Sequence, residues 1–256
     1  MMYNNKPNAF TLVELSLVLL IISLIIGGTM AGKSLITNAK IRSLISESGE
    51  YPRAVDNFRN IIVINGNGCF PGDCASATAV FGTTDVNGST VNNGDGNGFI
   101  GDNTTNNLED LGAWQHLALA GIINGVFTGN LVAAPTSKVS VSVNAPGSNY
   151  DPNLVYLFYS DTISSNYVLH NAIAACTLGS NTACHESVYV NDIYAVDVKV
   201  DDGLPFTGRI LAFSGTVGNC TSAAIALGNH TSATYLMAAQ PTTCKVLFAL
   251  TGFIYS

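Results

Sequence analysis

Charged side chains are scarce in this 256-residue chain. Lys, Arg, Asp and Glu make up only 11% of it, against roughly 25% in an average soluble protein. No basic residue lies between Arg59 and Lys138, and ten basic against 17 acidic groups give a formal net charge of −7. Because duplex nucleic-acid binding draws most of its affinity from clustered Lys and Arg, no nucleic-acid partner is expected.

Several catalytic and metal signatures are also missing. The chain has no Gly-x-Ser-x-Gly and no Cys-x-x-Cys, and His185-Glu186 lacks the second His of a zinc protease signature. Residues 27–34 match the P-loop pattern, but they lie in an apolar run with no strand before it, so we interpret that match as accidental. An enzyme and a zinc site are therefore not expected.

One long stretch near the N-terminus contains no charge at all. It runs for 18 residues from Leu15 to Gly32, and Lys33 ends it. As a helix it would be about 27 Å long, close to the thickness of a bilayer core. A secretory signal peptide or a plain membrane anchor would account for the apolar run. Neither explains Glu14, because a carboxylate at the edge of a membrane helix is costly and points to a function.

The residues around Glu14 resemble a known processing signal. Ala9-Phe10-Thr11-Leu12-Val13-Glu14-Leu15 before an apolar helix is similar to the signal of type IV pilins and type II secretion pseudopilins. The resemblance implies that a prepilin peptidase cuts between Ala9 and Phe10 on the cytoplasmic side, and that the new amino terminus of Phe10 is methylated. Ala9 stands where the family usually has Gly.

The same resemblance suggests an assembly role for Glu14. A carboxylate among apolar side chains favours a cationic partner, and the N-terminal amine of Phe10 in a neighbouring subunit is one candidate. Pairing the two charges costs less than leaving either alone in lipid. We expect this pair to set the axial register of stacked subunits.

The predicted fold is α+β, with a long N-terminal membrane and filament helix packed on a β-sheet-containing globular head, the pilin-like lollipop. We expect a leader at residues 1–9, the helix at 10–64 with its transmembrane part at 10–32, and the head at 65–256. Beyond Lys33 apolar residues recur at three- and four-residue steps, which is typical of an amphipathic helix. Pro52 is expected to kink or restart that helix.

The head is predicted to contain one further clear helix and several strands. The helix begins near Asn107, which can cap it, and ends at Gly121, with Trp114 as a core anchor. Alternation and apolar runs predict strands at Val139–Val143, Leu154–Tyr159, Tyr167–Ala175, Arg209–Ser214 and Lys245–Tyr255. Ser187–Val200 is ambiguous, and Asn191 could cap a short helix there. Residues 75–107 are rich in Gly, Asn, Thr and Ser, which is typical of a loop.

Scattered blocks of the head resemble a group of prepilin-type proteins with large heads. The blocks are Phe70-Pro71-Gly72-Asp73, Asn93–Gly98, Glu109 with Ala113–Leu117, and Asp201–Gly208. They are less specific than the N-terminal signal. The resemblance implies a filament subunit without saying which machine it serves.

A calcium loop is a second candidate site. Asn93, Asp95, Asn97 and Phe99 match the first, third, fifth and seventh places of an EF-hand loop, with Gly98 at the sharp turn. The twelfth place is Thr104 instead of Glu, so Glu109 or Asp102 would have to replace it. A Gly/Asn turn without an ion is the alternative. Asp201-Asp202 is a weaker calcium candidate whose expected role is to cap a turn.

Six cysteines suit an oxidising compartment. Fifteen pairings are possible, and we favour the nearest neighbours, because each pair brackets a turn-rich segment: Cys69 with Cys74, Cys176 with Cys184, and Cys220 with Cys244.

The resemblance implies a structural subunit of a type IV pilus-like or type II secretion pseudopilus filament. Before assembly it would lie in the inner membrane with its head in the periplasm. The implied partners are the prepilin peptidase, other pilin or pseudopilin subunits and an inner-membrane assembly platform. One alternative is a minor tip pilin or adhesin whose head binds a surface partner. Another is a membrane-tethered enzyme, which would need a pocket of convergent titratable groups.

Overall fold

The computed structural model describes residues 11–64, 66–101, 109–130, 139–164, 167–178, 184–214, 218–224, 231–237 and 242–250. The chain divides into two compact units, Met1–Lys40 and Ile41–Ser256. Ala9 and Phe10, the residues of the predicted cleavage site, lie outside the described residues.

The first element, α1, is a single helix over Leu12–Ile61. Its second half carries the predicted apolar stripe, which is buried in the head. Of the two outcomes predicted for Pro52, a restart of the helix is wrong, because α1 continues through it, and a kink stays a prediction. Pro52 lacks the N–H that would bond the carbonyl of Ser48, but Ser48, Tyr51 and Val55 are all buried around it. Their packing holds the two sides of the proline in one helix.

A buried carboxylate fixes α1 in the head. Glu47 is 4% exposed and accepts hydrogen bonds from Ser148 Oγ at 2.5 Å, Tyr156 Oη at 2.5 Å, and Asn149 N and Nδ2 at 2.9 and 3.0 Å. Four donors offset the loss of water around the charge. The helix ends three residues before the predicted Ile64, because β1 (Val63–Ile64) and β2 (Asn67–Gly68) pair as a small hairpin.

The head is built on an antiparallel sheet. Its strands are β3 (Leu154–Ser164), β4 (Tyr167–Leu178), β5 (Cys184–His185), β6 (Val188–Tyr189), β7 (Ile210–Phe213) and β8 (Thr243–Ala249). The order is β3-β4-β8-β6, with β5 paired to β4 and β7 paired to β8. The predicted α+β class is thus confirmed, as are the strands predicted around residues 154–159, 167–175 and 209–214. Of the strand predicted at 245–255, residues 245–249 lie in β8, and residues 251–255 lie outside the described residues.

Within the described part of the head, three helices accompany the sheet: α2 (Ala77–Phe81), α3 (Glu109–Leu119) and α4 (Val190–Val200). Trp114 on α3 is fully buried, with its ring centroid 5.1 Å from Tyr51 of α1 and 4.6 Å from Phe158 of β3. Trp114 thus packs α3 against both α1 and the sheet, as predicted for a core anchor. Asn107, the predicted cap of α3, lies outside the described residues.

Three local predictions are wrong. Val139–Val143 forms a turn, in which Ser142 has a φ of 61° and Asn144 Oδ1 accepts from Ser140 N at 2.7 Å. A left-handed residue and a side chain folded back on the backbone are incompatible with a strand. Asn191 does not cap α4, whose N-cap position is held by Tyr189 without a side-chain bond. The predicted loop at 75–107 contains the short helix α2.

Three disulfides join Cys69 to Cys74, Cys176 to Cys184 and Cys220 to Cys244, the nearest-neighbour pairs that the sequence favours.

Candidate functional site

Glu14 lies in the first turn of α1 and forms a capping box. Thr11 N and Thr11 Oγ1 both donate to Glu14 Oε2 at 2.8 Å, and Glu14 N donates to Thr11 Oγ1 at 3.2 Å. Thr followed three positions later by Glu is the usual sequence signal for this motif, whereas the resemblance to pilins suggests only an assembly role for Glu14. The carboxylate therefore has a task within its own chain, and its pairing with a neighbouring amine stays a prediction.

The first half of α1 presents apolar side chains on every face. An 18-residue window has a mean hydropathy of 2.4, and none of it is buried by the described part of the chain. In length and composition this segment could span a membrane.

A carboxylate cluster lies in the head, assembled from three separate segments. Asp73 comes from the loop closed by the Cys69–Cys74 disulfide, Asp95 from the Gly/Asn-rich loop, and Glu109 from the first turn of α3. One oxygen of each residue lies within 4.8 Å of the others. Asp73 and Glu109 are each 3% exposed, whereas Asp95 is exposed. We call these three residues the acidic cluster.

The acidic cluster is tied together by backbone donors. Asp95 N donates to Glu109 Oε1 at 2.9 Å, Gly101 N to Glu109 Oε2 at 3.3 Å, and Gly98 N to Asp73 Oδ2 at 3.0 Å. The second oxygen of Asp73, Oδ1, is buried and has no hydrogen-bond partner among the described residues. A buried carboxylate oxygen without a donor is costly unless a cation or another ligand satisfies it.

Electrostatics in the acidic cluster favour a cation. Burial, together with a smaller contribution from neighbouring carboxylates, raises the pKa of Glu109 to about 7 and that of Asp73 to about 6. Two oxygens bound to the same calcium ion lie at most about 5.2 Å apart, because each Ca–O distance is about 2.3–2.6 Å. The 4.8 Å spacing is compatible with that limit, so the cluster could hold a metal ion.

The contiguous calcium loop predicted from the sequence is only partly assembled. Gly98 has the positive φ, 90°, expected at the sharp turn. However, Asn93 Oδ1 accepts from Thr78 N at 2.9 Å, and Asn97 Oδ1 accepts from Phe99 N at 2.7 Å. The structure instead brings Asp95 to Glu109, which the sequence offered as a replacement ligand, and to Asp73, which it did not single out as a ligand. Asp102 and Thr104 lie outside the described residues.

His116 on α3 joins the two loops that carry Asp73 and Asp95. Gly72 N donates to its Nδ1 at 2.9 Å, so Nε2 carries the proton and donates to Asn92 O at 2.9 Å. Burial lowers the pKa of His116 to about 4. The ring is therefore neutral at physiological pH, and its two bonds position both loops.

A second group of carboxylates caps a turn. Asp201 Oδ2 accepts from Arg209 N and from Ile210 N at 2.8 Å. Asp202 accepts from Leu204 N at 2.9 Å and Thr207 Oγ1 at 2.5 Å. These bonds give Asp201 and Asp202 the turn-capping role that the sequence favours over calcium, although with Asp197 they also lie close enough to hold an ion.

Comparisons of the chain with protein-family models, with curated proteins and with solved structures found no match. The resemblance to pilins therefore depends on the N-terminal residues and on the architecture. A long apolar N-terminal helix and an antiparallel β-sheet head are compatible with a pilin-like fold.

Proposed function

We propose that this protein is a structural subunit of a type IV pilus-like or type II secretion pseudopilus filament. The observation that carries the proposal is the division of α1. Its first half is apolar and exposed on every face, whereas one face of its second half is buried in the head. Such a helix suits a subunit that is held first by lipid and then by the same helices of its neighbours.

The N-terminal residues supply the second support. The proposed prepilin peptidase cuts between Ala9 and Phe10 and methylates Phe10, while the head lies in the periplasm. The mature subunit then meets an inner-membrane assembly platform and other subunits. Filament growth transfers the apolar half of α1 from lipid into the filament core. The role is structural instead of catalytic.

Mass spectrometry of the membrane-extracted chain tests this proposal. Co-expression with a prepilin peptidase should remove residues 1–9 and add one methyl group to Phe10. Ala9→Gly, which restores the usual family residue, should be processed at least as fast, whereas Ala9→Arg should block cleavage. An intact Met1 in assembled material would contradict the proposal.

For the acidic cluster we propose calcium as the ion. Three carboxylates supply the hard oxygen ligands that calcium prefers, and the Gly-rich loop can adjust to its irregular coordination. Magnesium is expected to substitute poorly, because it demands a near-ideal octahedron at about 2.0–2.1 Å. Asp73, Asp95 and Glu109 would hold the ion, which would satisfy the unpaired Oδ1 of Asp73 and neutralise the repulsion in the cluster.

Thermal melts in calcium and in chelator test this assignment. At 100 times its dissociation constant calcium adds about 2.7 kcal/mol to the free energy of unfolding. Asp95→Asn keeps a side-chain oxygen but removes a charge, so it should lose most of the calcium-dependent rise in Tm. Glu50→Gln, which removes one charge from an exposed side chain on α1 that belongs to neither carboxylate group, should keep the rise. An equal response of wild type and Asp95→Asn would show that the loop is an ordinary turn.

A further inference from the structure

The Cys69–Cys74 disulfide closes the short loop that carries Asp73. Cys74 is fully buried, and its carbonyl accepts hydrogen bonds from Gly94 N at 3.0 Å and Ala77 N at 3.3 Å. Gly94 directly precedes Asp95. The disulfide loop is therefore joined to the segment that supplies the second carboxylate of the acidic cluster.

Two glycines allow this loop to lie against both neighbouring segments. A Cβ at Gly72 would collide with the carbonyl oxygen of Glu109, and a Cβ at Gly94 would collide with the carbonyl oxygen of Gly72. Gly72 also has a φ of 85°, which favours glycine. The backbone before Asp73 is thus in direct contact with the segments that carry Asp95 and Glu109.

The position of Asp73 is unfavourable without a cation. It is 3% exposed, its Oδ1 has no partner among the described residues, and one of its oxygens lies within 4.8 Å of those of two other carboxylates. Repulsion and desolvation both favour movement of Asp73 towards water. The disulfide opposes that movement because it closes the loop covalently on both sides of Asp73.

We propose that the Cys69–Cys74 disulfide is the positioning device of the cation site, so that cation affinity depends on the oxidation of these two thiols. This inference rests on the proposed binding of calcium at the acidic cluster. Formation of the bond removes two protons and two electrons from the thiols, and a disulfide-bearing thiol oxidoreductase accepts them and becomes a dithiol. The site would then be completed only in an oxidising compartment, after the head has left the cytoplasm.

Calorimetric titration of the full chain in detergent micelles with calcium chloride tests the inference. Loss of an outer support usually weakens metal affinity by about 10–100-fold. We expect calcium affinity to fall at least tenfold in Cys69→Ser/Cys74→Ser. In Cys176→Ser/Cys184→Ser, the control that removes another disulfide of the head, calcium affinity should change less than twofold. Equal affinity in the first variant and in wild type would overturn the inference while leaving calcium binding intact. Failure of oxidised wild type to bind calcium would instead overturn the calcium proposal, and the inference with it.

A double-mutant cycle distinguishes positioning from general stability. Asp73→Asn should weaken calcium binding at least tenfold when the disulfide is present, because it removes a ligand charge. The same change should have less than a twofold effect when it is added to Cys69→Ser/Cys74→Ser. A full tenfold effect in both backgrounds would show that Asp73 reaches the ion without the disulfide, which contradicts the inference.

The coupling between calcium binding and the disulfide can also be measured on the wild-type chain, without any variant. Because linkage is reciprocal, saturating calcium must shift the dithiol–disulfide equilibrium of Cys69 and Cys74 by the same factor as oxidation shifts calcium affinity. The chain is equilibrated with mixtures of reduced and oxidised dithiothreitol, its thiols are alkylated, and each cysteine pair is quantified by mass spectrometry. Calcium should favour the Cys69–Cys74 disulfide at least tenfold and leave Cys176–Cys184 unchanged. An unchanged ratio for Cys69–Cys74 would refute the coupling.

Discussion

At the scale of single residues, Glu14 has two tasks that substitutions can separate. Its carboxylate closes a capping box with Thr11, and the proposed assembly mechanism also requires its charge. Glu14→Gln preserves the box, since Gln serves equally at this position, but removes the charge. Glu14→Val removes both.

We expect both variants of Glu14 to insert into membranes at least as well as wild type, because each removes a charge that is costly in lipid. Both should assemble poorly, because the neighbouring amine of Phe10 loses its partner. Filament yield per inserted subunit is the measurement. Normal yield from Glu14→Gln together with failure of Glu14→Val would assign the effect to capping instead of to charge pairing.

His116 should make the head sensitive to acid. Its pKa falls from the usual value of 6.5 to about 4 on folding, so the unfolded chain binds the proton more tightly. The stability that it contributes is complete above pH 6.5 and is lost as the pH falls towards 4. At pH 4 the loss reaches about 3 kcal/mol, because a difference of one in pKa between the folded and unfolded chain corresponds to about 1.36 kcal/mol.

Comparison with His116→Asn isolates this effect from other titrations. Asn keeps an acceptor for Gly72 N but does not titrate. The difference in free energy of unfolding between wild type and variant, measured in chelator, should therefore shrink as the pH falls from 6.5 to 4. A constant difference would contradict the neutral, buried imidazole.

Only some residues of the acidic cluster can be predicted as ligands from the sequence. Asp95 was found because contiguous calcium loops have a fixed spacing of oxygen side chains. Glu109 followed as a replacement ligand from its position after that loop. Asp73 is 22 residues before Asp95 in the sequence and belongs to a different motif. The glycine contacts and the two bonds of His116 bring its loop to the other two segments, and these contacts between distant segments have no local sequence pattern.

At the scale of elements, the long helix and the main strands were predictable because their signals are local. An apolar run, an amphipathic stripe and runs of Val, Leu, Ile and Ala define α1, β3, β4 and β8 within their own residues. The alternation at Val139–Val143 is equally local, but Asn144 competes for the backbone and turns the segment away from the sheet. Packing also overrides Pro52. The packing beside Pro52 includes the contacts of Tyr51 with Trp114 and Tyr156, which no short sequence window contains.

The anchorage of α1 in the head should depend on Glu47. Glu47→Ala removes the acceptor of four hydrogen bonds from Ser148, Asn149 and Tyr156. Hydrogen bonds to charged groups contribute about 1.5–3 kcal/mol each, and the buried donors would lose their partner. We expect the free energy of unfolding to fall by about 3 kcal/mol or more in urea titrations.

Two further variants show whether the loss of stability in Glu47→Ala comes from its hydrogen bonds. Tyr156→Phe removes one of the donors and should cost about 1.5–3 kcal/mol. Glu50→Ala changes an exposed residue one turn along the same helix and should stay within about 0.5 kcal/mol of wild type. A loss at Glu47 no larger than that at Glu50 would show that the helix is held by apolar packing alone.

At the scale of the whole molecule, the two compact units have different relations to water. Met1–Lys40 contributes no buried described residue, whereas the entire described core belongs to Ile41–Ser256. The head should therefore fold without the apolar half of α1. A chain that begins at Lys33 would also start its helix well, since Ser34 is a favourable N-cap.

We expect this shortened chain to be soluble without detergent and to melt within about 2 °C of the full chain in micelles. Changes away from buried contacts usually stay within about 0.5 kcal/mol, which corresponds to about 1–2 °C for a domain of this size. The full chain should partition into detergent or vesicles, because its exposed apolar segment has a mean hydropathy of 2.4 over 18 residues. Circular dichroism melts and vesicle flotation measure the two properties. If the shortened chain shows no cooperative melting transition, the first half of α1 stabilises the head. If the shortened chain floats with vesicles, the head itself contains a membrane-binding surface.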